Sequence, residues 1–262
     1  MQTAESLKQN EYILVEHFDI TTVTVSRKTS SADMDALGIK LTDEQLAALC
    51  GAPSGSTVEA EFIDEAMQEI SEVNDKEKVE EIPPGLHLKV KNKDYINDYN
   101  HVILYPAGEE DGPISMEVYV KLVDFRSGAA KGKSFTGVGG YMIARIVRMM
   151  KQLKNFTKIR LQAAGGRTWK SRKPGERWYG YVAWPRYGFD MELRDFTTQM
   201  FPFFQHQPVG LSSCVRVSQV LALGKDGEAF WKAVGDGWDM TFDVTANCSS
   251  IEKLSKCLDF EV

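Results

Sequence analysis

Ile114-Ser-Met-Glu-Val-Tyr-Val-Lys-Leu-Val123, Thr136-Gly-Val-Gly-Gly-Tyr141, the run Met142 to Leu153, Lys158-Ile-Arg-Leu-Gln-Ala163 and Trp178-Tyr-Gly-Tyr-Val-Ala-Trp-Pro-Arg-Tyr-Gly-Phe189 decide how this chain is read. In order they spell strand, glycine-rich turn, helix, strand, and a turn dense in aromatic and basic side chains. Met142, Ile143, Ile146, Val147, Met150 and Leu153 share one helical face, with Arg145, Arg148 and Lys151 available for the other. Asn155 and Thr157 close the helix before the strand at Lys158. This is one βαβ step inside an otherwise antiparallel sheet, so the expected fold class is α/β, a mixed α+β architecture.

The glycines fall where a strand ends and a helix begins. Backbone N–H groups are unpaired at such a helix start, and the dipole there favours an anion. Glycine lets the chain turn sharply and lets a phosphate approach the backbone. A phosphate-bearing cofactor is therefore the expected ligand class.

The order strand, Gly-x-Gly-Gly, helix, strand, then Gly-Phe resembles the GNAT superfamily of N-acetyltransferases. That family binds the pyrophosphate of acetyl-coenzyme A on a Gln/Arg-x-x-Gly-x-Gly/Ala loop. Gly137 and Gly139 fit its two glycine positions, and Ser134 stands where the family has Gln or Arg. Many members carry Tyr-x-x-x-Gly-Phe after the next strand. Here the matching stretch is Trp184-Pro-Arg-Tyr-Gly188-Phe189, with tryptophan in place of the tyrosine. The resemblance covers Ile114 to Phe189, and loosely 84 to 262. It implies a GNAT-like acyltransferase fold with a mostly antiparallel central sheet. It also implies that the cofactor binds at Gly137, with the N–H groups of Val138, Gly139, Gly140 and Tyr141 holding the pyrophosphate and Lys131 and Lys133 adding charge from the preceding loop. The plainer alternative is a strand-to-helix turn.

The resemblance places a general base in the strand before the glycine turn, where Glu117 lies and Asp124 is a weaker substitute. A positioned carboxylate can take a proton from an amine, directly or through water. The alternative is an exposed strand carboxylate. The family's acid step uses a tyrosine hydroxyl near the thioester sulfur. With Trp184 in that slot, Tyr181 is the best candidate among Tyr179, Tyr181 and Tyr187. Aromatics at this density also make packed cores, and Pro185 with the residues around Val182 leans towards strand rather than helix.

Size and composition set the bounds. A chain of 262 residues with 43% apolar and 26% charged residues is an ordinary globular protein of one large domain or one domain with an appendage. Nothing approaches an apolar run of about 18 residues, so no membrane span is expected. Met1 to Asn10 has no apolar core region and does not read as a secretory signal. Cys50, Cys214, Cys248 and Cys257 are scattered and form no Cys-x-x-Cys pair, which suits a reduced, cytoplasmic setting with buried thiols. His17, His87, His101 and His206 never recur at metal-ligand spacing and read as surface or core residues, with no metal expected.

The net charge of -6 is uneven. Thr57 to Ile82 holds ten acidic and two basic side chains, a solvated face. Arg167 to Arg186 holds six basic side chains and one acid, interleaved with Trp169, Trp178, Tyr179, Tyr181 and Trp184. That mixture can meet an anion or nucleic acid, but the overall acidity counts against general nucleic-acid binding.

Along the chain, residues 11 to 27 suit one or two strands. Leu41 to Cys50 is a short helix with a Thr cap and Gly51 at its end. Val58, Phe62, Ile63, Ala66, Met67, Ile70 and Val73 recur at helical spacing and predict an amphipathic helix. Asn74 to Gly85, ending Pro83-Pro84-Gly85, reads as a linker, which divides the chain into an N-terminal α+β region of unknown role, 1–83, and an acetyltransferase-like domain, 84–262. Leu86 to Val90 and His101 to Tyr105 read as strands, and Gly108 to Gly112 turns the latter back onto Ile114 to Phe125. Helices are predicted at Ser213 to Leu223, Glu228 to Val234 and Ser249 to Leu258, with a turn at Gly224 to Gly227 and a strand at Trp238 to Val244.

The function this implies is acyl transfer from acetyl-coenzyme A to a small-molecule or peptide amine. The alternatives are a non-catalytic binding or structural module of the same fold, and an RNA-directed, toxin-like acetyltransferase.

Overall fold

Thr42 opens a short helix reciprocally with Gln45. The Thr42 hydroxyl accepts from the Gln45 N–H, and the Gln45 side chain accepts from the Thr42 N–H. Two amides that a helix start leaves unpaired are thereby satisfied. Helix α1 spans Asp43–Leu49. Gly51 follows at φ +58°, and a Cβ there would sit 2.4 Å from Met142 Cγ, so only glycine serves both the turn and the close approach.

The structure is a computed structural model that describes residues 13–28, 38–73, 76–107, 115–123, 125, 137–167, 179–199, 201–203, 207–245 and 248–262. The strands are β1 Thr24–Arg27, β2 Thr57–Ile63, β3 Met67–Val73, β4 Lys76–Ile82, β5 Gly85–Lys91, β6 Asn100–Ala107, β7 Ser115–Leu122, β8 Phe156–Gln162 and β9 Asp239–Asp243. The helices after α1 are α2 Val138–Leu153, α3 Gly180–Arg186, α4 Asp195–Gln199, α5 Val217–Ala222, α6 Lys225–Val234 and α7 Ser249–Leu258. Seven strands form one sheet in the order β1-β2-β5-β6-β7-β8-β9, and β3 pairs with β4 separately. The fold is mixed α/β, and the ladder from β2 through β5 and β6 to β7 is antiparallel throughout.

Two compact units are distinguished: Met1–Glu69, Glu81–Arg160 and Asp243–Val262 make one, and Ile70–Glu80 with Leu161–Phe242 the other. In the first, the strand pairing sorts side chains by parity. Val58 and Ala60, Leu86, Leu88 and Val90, Val102 and Leu104, and Met116, Val118 and Val120 are all buried on one face. Val138, Met142, Ile143, Ile146, Val147 and Met150 bury the apolar stripe of α2. The opposite face of the sheet carries Glu61, His87, Ile103, Tyr105, Glu117 and Tyr119. There Ile82, Ile103, Tyr105 and Tyr119 form a second, smaller core, with Met67 and Ala107 packed on it.

Several expectations are corrected. The helix predicted over 58 to 73 is strands β2 and β3. Val58, Ala60 and Phe62 also alternate with Thr57, Glu59 and Glu61, and pairing of β2 with β5 over seven positions selects that period. The linker predicted at 74 to 85 contains β4, and β2 and β5, from either side of Pro83-Pro84, lie side by side in one sheet. Residues 13–17 are helical and Ile20–Thr22 is a 3₁₀ turn, so among the described residues of the predicted strand region only Thr24–Arg27 is strand. There the Asp19 carboxylate accepts from both the N–H and the hydroxyl of Thr21, a local alternative to strand pairing. The turn predicted at Gly224 to Gly227 already belongs to α6 from Lys225 onward. The Gly108 to Gly112 turn lies outside the described residues.

The largest correction is in the second unit. Gly180–Arg186 is helix α3, with Pro185 inside it, where the sequence reads as a turn leaning towards strand. A proline at 185 cannot donate to the Tyr181 carbonyl, the i−4 acceptor of a helix. The Trp231 indole N–H donates to that carbonyl instead, at 2.8 Å, from a side chain that is fully buried. An indole thus replaces the amide that proline lacks, and the helix survives. Trp231→Phe is expected to cost about 1–3 kcal/mol of stability in denaturant unfolding, because a buried carbonyl loses its donor. Pro185→Ala in that background returns an N–H at the right place and should recover part of the loss. No recovery would mean that Trp231 contributes through packing alone.

Candidate functional site

Glu117 is the sequence-predicted residue that the structure surrounds most specifically. It lies mid-β7 with only 9% of its surface exposed, so the exposed-carboxylate alternative does not hold. Its register partner on β6 is Tyr105, and the two side chains share the second face of the sheet. The Tyr105 hydroxyl donates to Glu117 Oε2 at 2.5 Å, within the range of charge-assisted O–H···O⁻ bonds. Arg160, on β8 with half its side chain exposed, places Nη1 3.3 Å from the Tyr105 hydroxyl and 4.0 Å from Glu117 Oε2. Burial raises the Tyr105 phenol above its ordinary pKa of 10.0, and the adjacent Glu117 adds to that, so Tyr105 stays protonated and donating. A buried carboxylate held by a neutral donor and flanked by a cation can accept a proton from an incoming group.

Sequence reasoning missed Tyr105 and Arg160. Tyr105 and Glu117 are equidistant in sequence from Asp111, inside the predicted turn, and that symmetry is the signal that pairs them.

The glycine turn is the second element. Gly137 caps α2 at φ +99°, a conformation open to glycine, and a Cβ there would meet nothing closer than the Tyr141 ring at 3.9 Å. Backbone freedom, not space, is what glycine provides. The N–H groups of Gly140 and Tyr141 both donate to the Gly137 carbonyl. Of the amides predicted to meet phosphate, those of Val138 and Gly139 therefore stand ahead of the first intrahelical bond. Among the described residues no side chain caps this helix start, and its first turn holds no acid. These features fit an anionic group at Val138 and Gly139. Tyr141 is buried and stacks on Phe260 at 6.0 Å, so its side chain is committed to packing. Lys131, Lys133, Ser134 and Asp124 lie outside the described residues.

Tyr181 belongs to the second unit. Its hydroxyl donates to the Lys232 carbonyl at 2.8 Å, in the last turn of α6, where helix carbonyls lack an intrahelical donor. Burial pushes its pKa up. Trp184 packs edge-on against Tyr187 and Phe189, with centroids 6.1 and 5.6 Å away. Most of the basic segment between Arg167 and Arg186, residues 168–178, lies outside the described residues.

The histidines hold a surprise. His87 on β5 and His101 on β6 are diagonal neighbours on the sheet, and His87 Nδ1 lies 3.1 Å from His101 Nε2. Both are buried. No group of three or more ligand residues suited to a metal occurs among the described residues. All four cysteines are free thiols, with Cys50 and Cys214 buried. Among the described residues no helix is long and apolar enough to cross a membrane.

Comparison of the whole chain with protein-family models, curated proteins and solved structures gives no match.

The histidine pair carries a pH expectation. Burial lowers both pKa values below the ordinary 6.5, helped at His101 by the charge of His87 and at both by Lys121 and Lys89. The folded state therefore keeps both imidazoles neutral, while the unfolded chain protonates them below pH 6.5. Their contribution is complete above that pH and is lost as pH falls. Stability should drop by up to about 1.4 kcal/mol per pH unit for each imidazole. Unfolding measured across this range in wild type and His101→Gln should give a shallower slope in the variant. Parallel slopes would remove the pair from the account.

Proposed function

We propose that this chain transfers an acetyl group from acetyl-coenzyme A to an amine, by direct attack of the amine on the thioester carbonyl. The observation that carries the reading is the buried Glu117 carboxylate, held by Tyr105, on β7, the strand that precedes a glycine-started helix. Val138 and Gly139 would hold the pyrophosphate through backbone amides, and Lys133, four residues before Gly137 in sequence, would add charge. In the reaction the amine nitrogen bonds to the acyl carbon, the carbon–sulfur bond breaks, and the thiolate leaves with the electron pair. Glu117 takes the amine proton. A base so placed contributes on the order of 10² to 10⁴ in rate, and positioning of the reactants contributes the larger share. The acceptor class is a small-molecule or peptide amine.

Tyr181 supports a second reading. Its hydroxyl is spent on the Lys232 carbonyl, and Trp184 is packed in an aromatic group. With neither available as an acid, a non-catalytic module of the same fold is the alternative. Coenzyme A binding by calorimetry separates the two, since the transferase must bind it.

Gly139→Asp is expected to abolish coenzyme A binding in a protein that still folds, because it sets a carboxylate among amides meant for phosphate. Unchanged affinity in the folded variant ends the pyrophosphate assignment. Glu117→Gln keeps the size of the side chain but cannot accept a proton. It should lower kcat on the order of a hundredfold while leaving coenzyme A affinity nearly unchanged. A rate within about twofold of wild type would return Glu117 to a structural role.

A further inference from the structure

Both contacts to the Glu117 carboxylate fall on the same oxygen. Tyr105 donates to Oε2 at 2.5 Å, and Arg160 Nη1 stands 4.0 Å from that atom. Oε1 makes no hydrogen bond to the described residues, yet the side chain retains 11% of its exposure, so this oxygen is the one an incoming group can reach. The restraint on Oε2 is firm. Tyr105 is buried in the small core with Ile82, Ile103 and Tyr119, and its own strand register fixes it opposite Glu117. A phenol anchored in this way cannot follow the carboxylate if the latter rotates. The hydrogen bond therefore selects one rotation of the carboxylate group.

We infer that Tyr105 is a positioning residue that holds Glu117 by Oε2 and leaves Oε1 to take the proton of the acceptor amine. The inference rests on the acyl-transfer reading and names the atom that does its proton chemistry. In the step, an N–H bond of the protonated amine breaks, the proton forms a bond to Oε1, and the electron pair of that bond stays on nitrogen as the lone pair that attacks the acyl carbon. Tyr105 keeps its own proton throughout. It touches neither substrate and acts only through Glu117.

The test uses the full chain and kinetics with saturating acetyl-coenzyme A and an amine that the wild type acetylates. Tyr105→Phe keeps the ring in the small core and removes only the hydroxyl. It is expected to lower kcat on the order of tenfold, with KM for acetyl-coenzyme A changed less than about twofold. In a Glu117→Gln background the same substitution should have no further effect on kcat. A merely structural tyrosine would slow both backgrounds alike, and that result overturns the inference, as does a kcat for Tyr105→Phe within about twofold of wild type. A measurement without any change at Tyr105 guards against a variant that fails to fold. The folded wild type should give a hydroxyl proton resonance downfield of the amide envelope that disappears in Glu117→Gln, and its absence from wild type overturns the inference as well. No turnover of any amine by the wild type overturns acyl transfer and this inference together, whereas turnover with an indifferent Tyr105→Phe overturns the inference alone.

Discussion

The antiparallel ladder that joins β2, β5, β6 and β7 is the constraint on which the first unit depends. Side chains alternate along a strand, so pairing sorts the residues of four strands onto two faces, with one register shift in β6–β7 at His101 and Val102. With Leu88 opposite Val102 and Leu104 opposite Val118, the fully apolar parity lies on the face whose side chains are all buried. A slip of one residue would bring Glu117, His87 and Tyr105 to that face and move their apolar neighbours off it. The cost of burying a carboxylate and an imidazole among aliphatic side chains excludes that alternative. Register is thus held by what each face rejects as much as by what it packs.

The same rule creates the polar groups of the second face. Glu61, His87, Tyr105 and Glu117 share one parity, and the sheet brings residues far apart in sequence within hydrogen-bond distance. Glu117 meets the cost of burial through a short bond from Tyr105 and the nearby charge of Arg160. The two histidines meet it by staying neutral and facing each other. These are two solutions to one problem, and they differ in consequence. A carboxylate with a fixed donor on one oxygen retains the other for chemistry, whereas a histidine pair makes the fold sensitive to acid.

The second unit shows how a tertiary contact can override a local rule. Pro185 should end or avoid a helix, because it offers no N–H to the carbonyl four residues earlier. Trp231 supplies that hydrogen bond from α6, and the Tyr181 hydroxyl returns one to the Lys232 carbonyl near the end of the same helix. The two exchanged bonds tie α3 to α6 in both directions. Neither could be inferred from spacing, since the partners stand some fifty residues apart.

Local signals determined much of this protein. The Thr42 cap, the apolar stripe of α2, the strands around Leu88, Ile103, Val118 and Ile159, and the helix Ser249–Leu258 are where the sequence puts them, because each rests on periodicity and end signals within one segment. The strand carrying Glu117 and the glycine that starts α2 were legible for the same reason. Tertiary structure alone decided whether residues 57 to 63 would obey period two or 3.6, since both patterns are present and only the partner strand chooses. It decided that Pro185 would sit in a helix, that Glu117 would be buried, and that Tyr105 and Arg160 would attend it. These outcomes depend on register and on contacts between distant segments, and a single sequence carries their ingredients but not the distances between them.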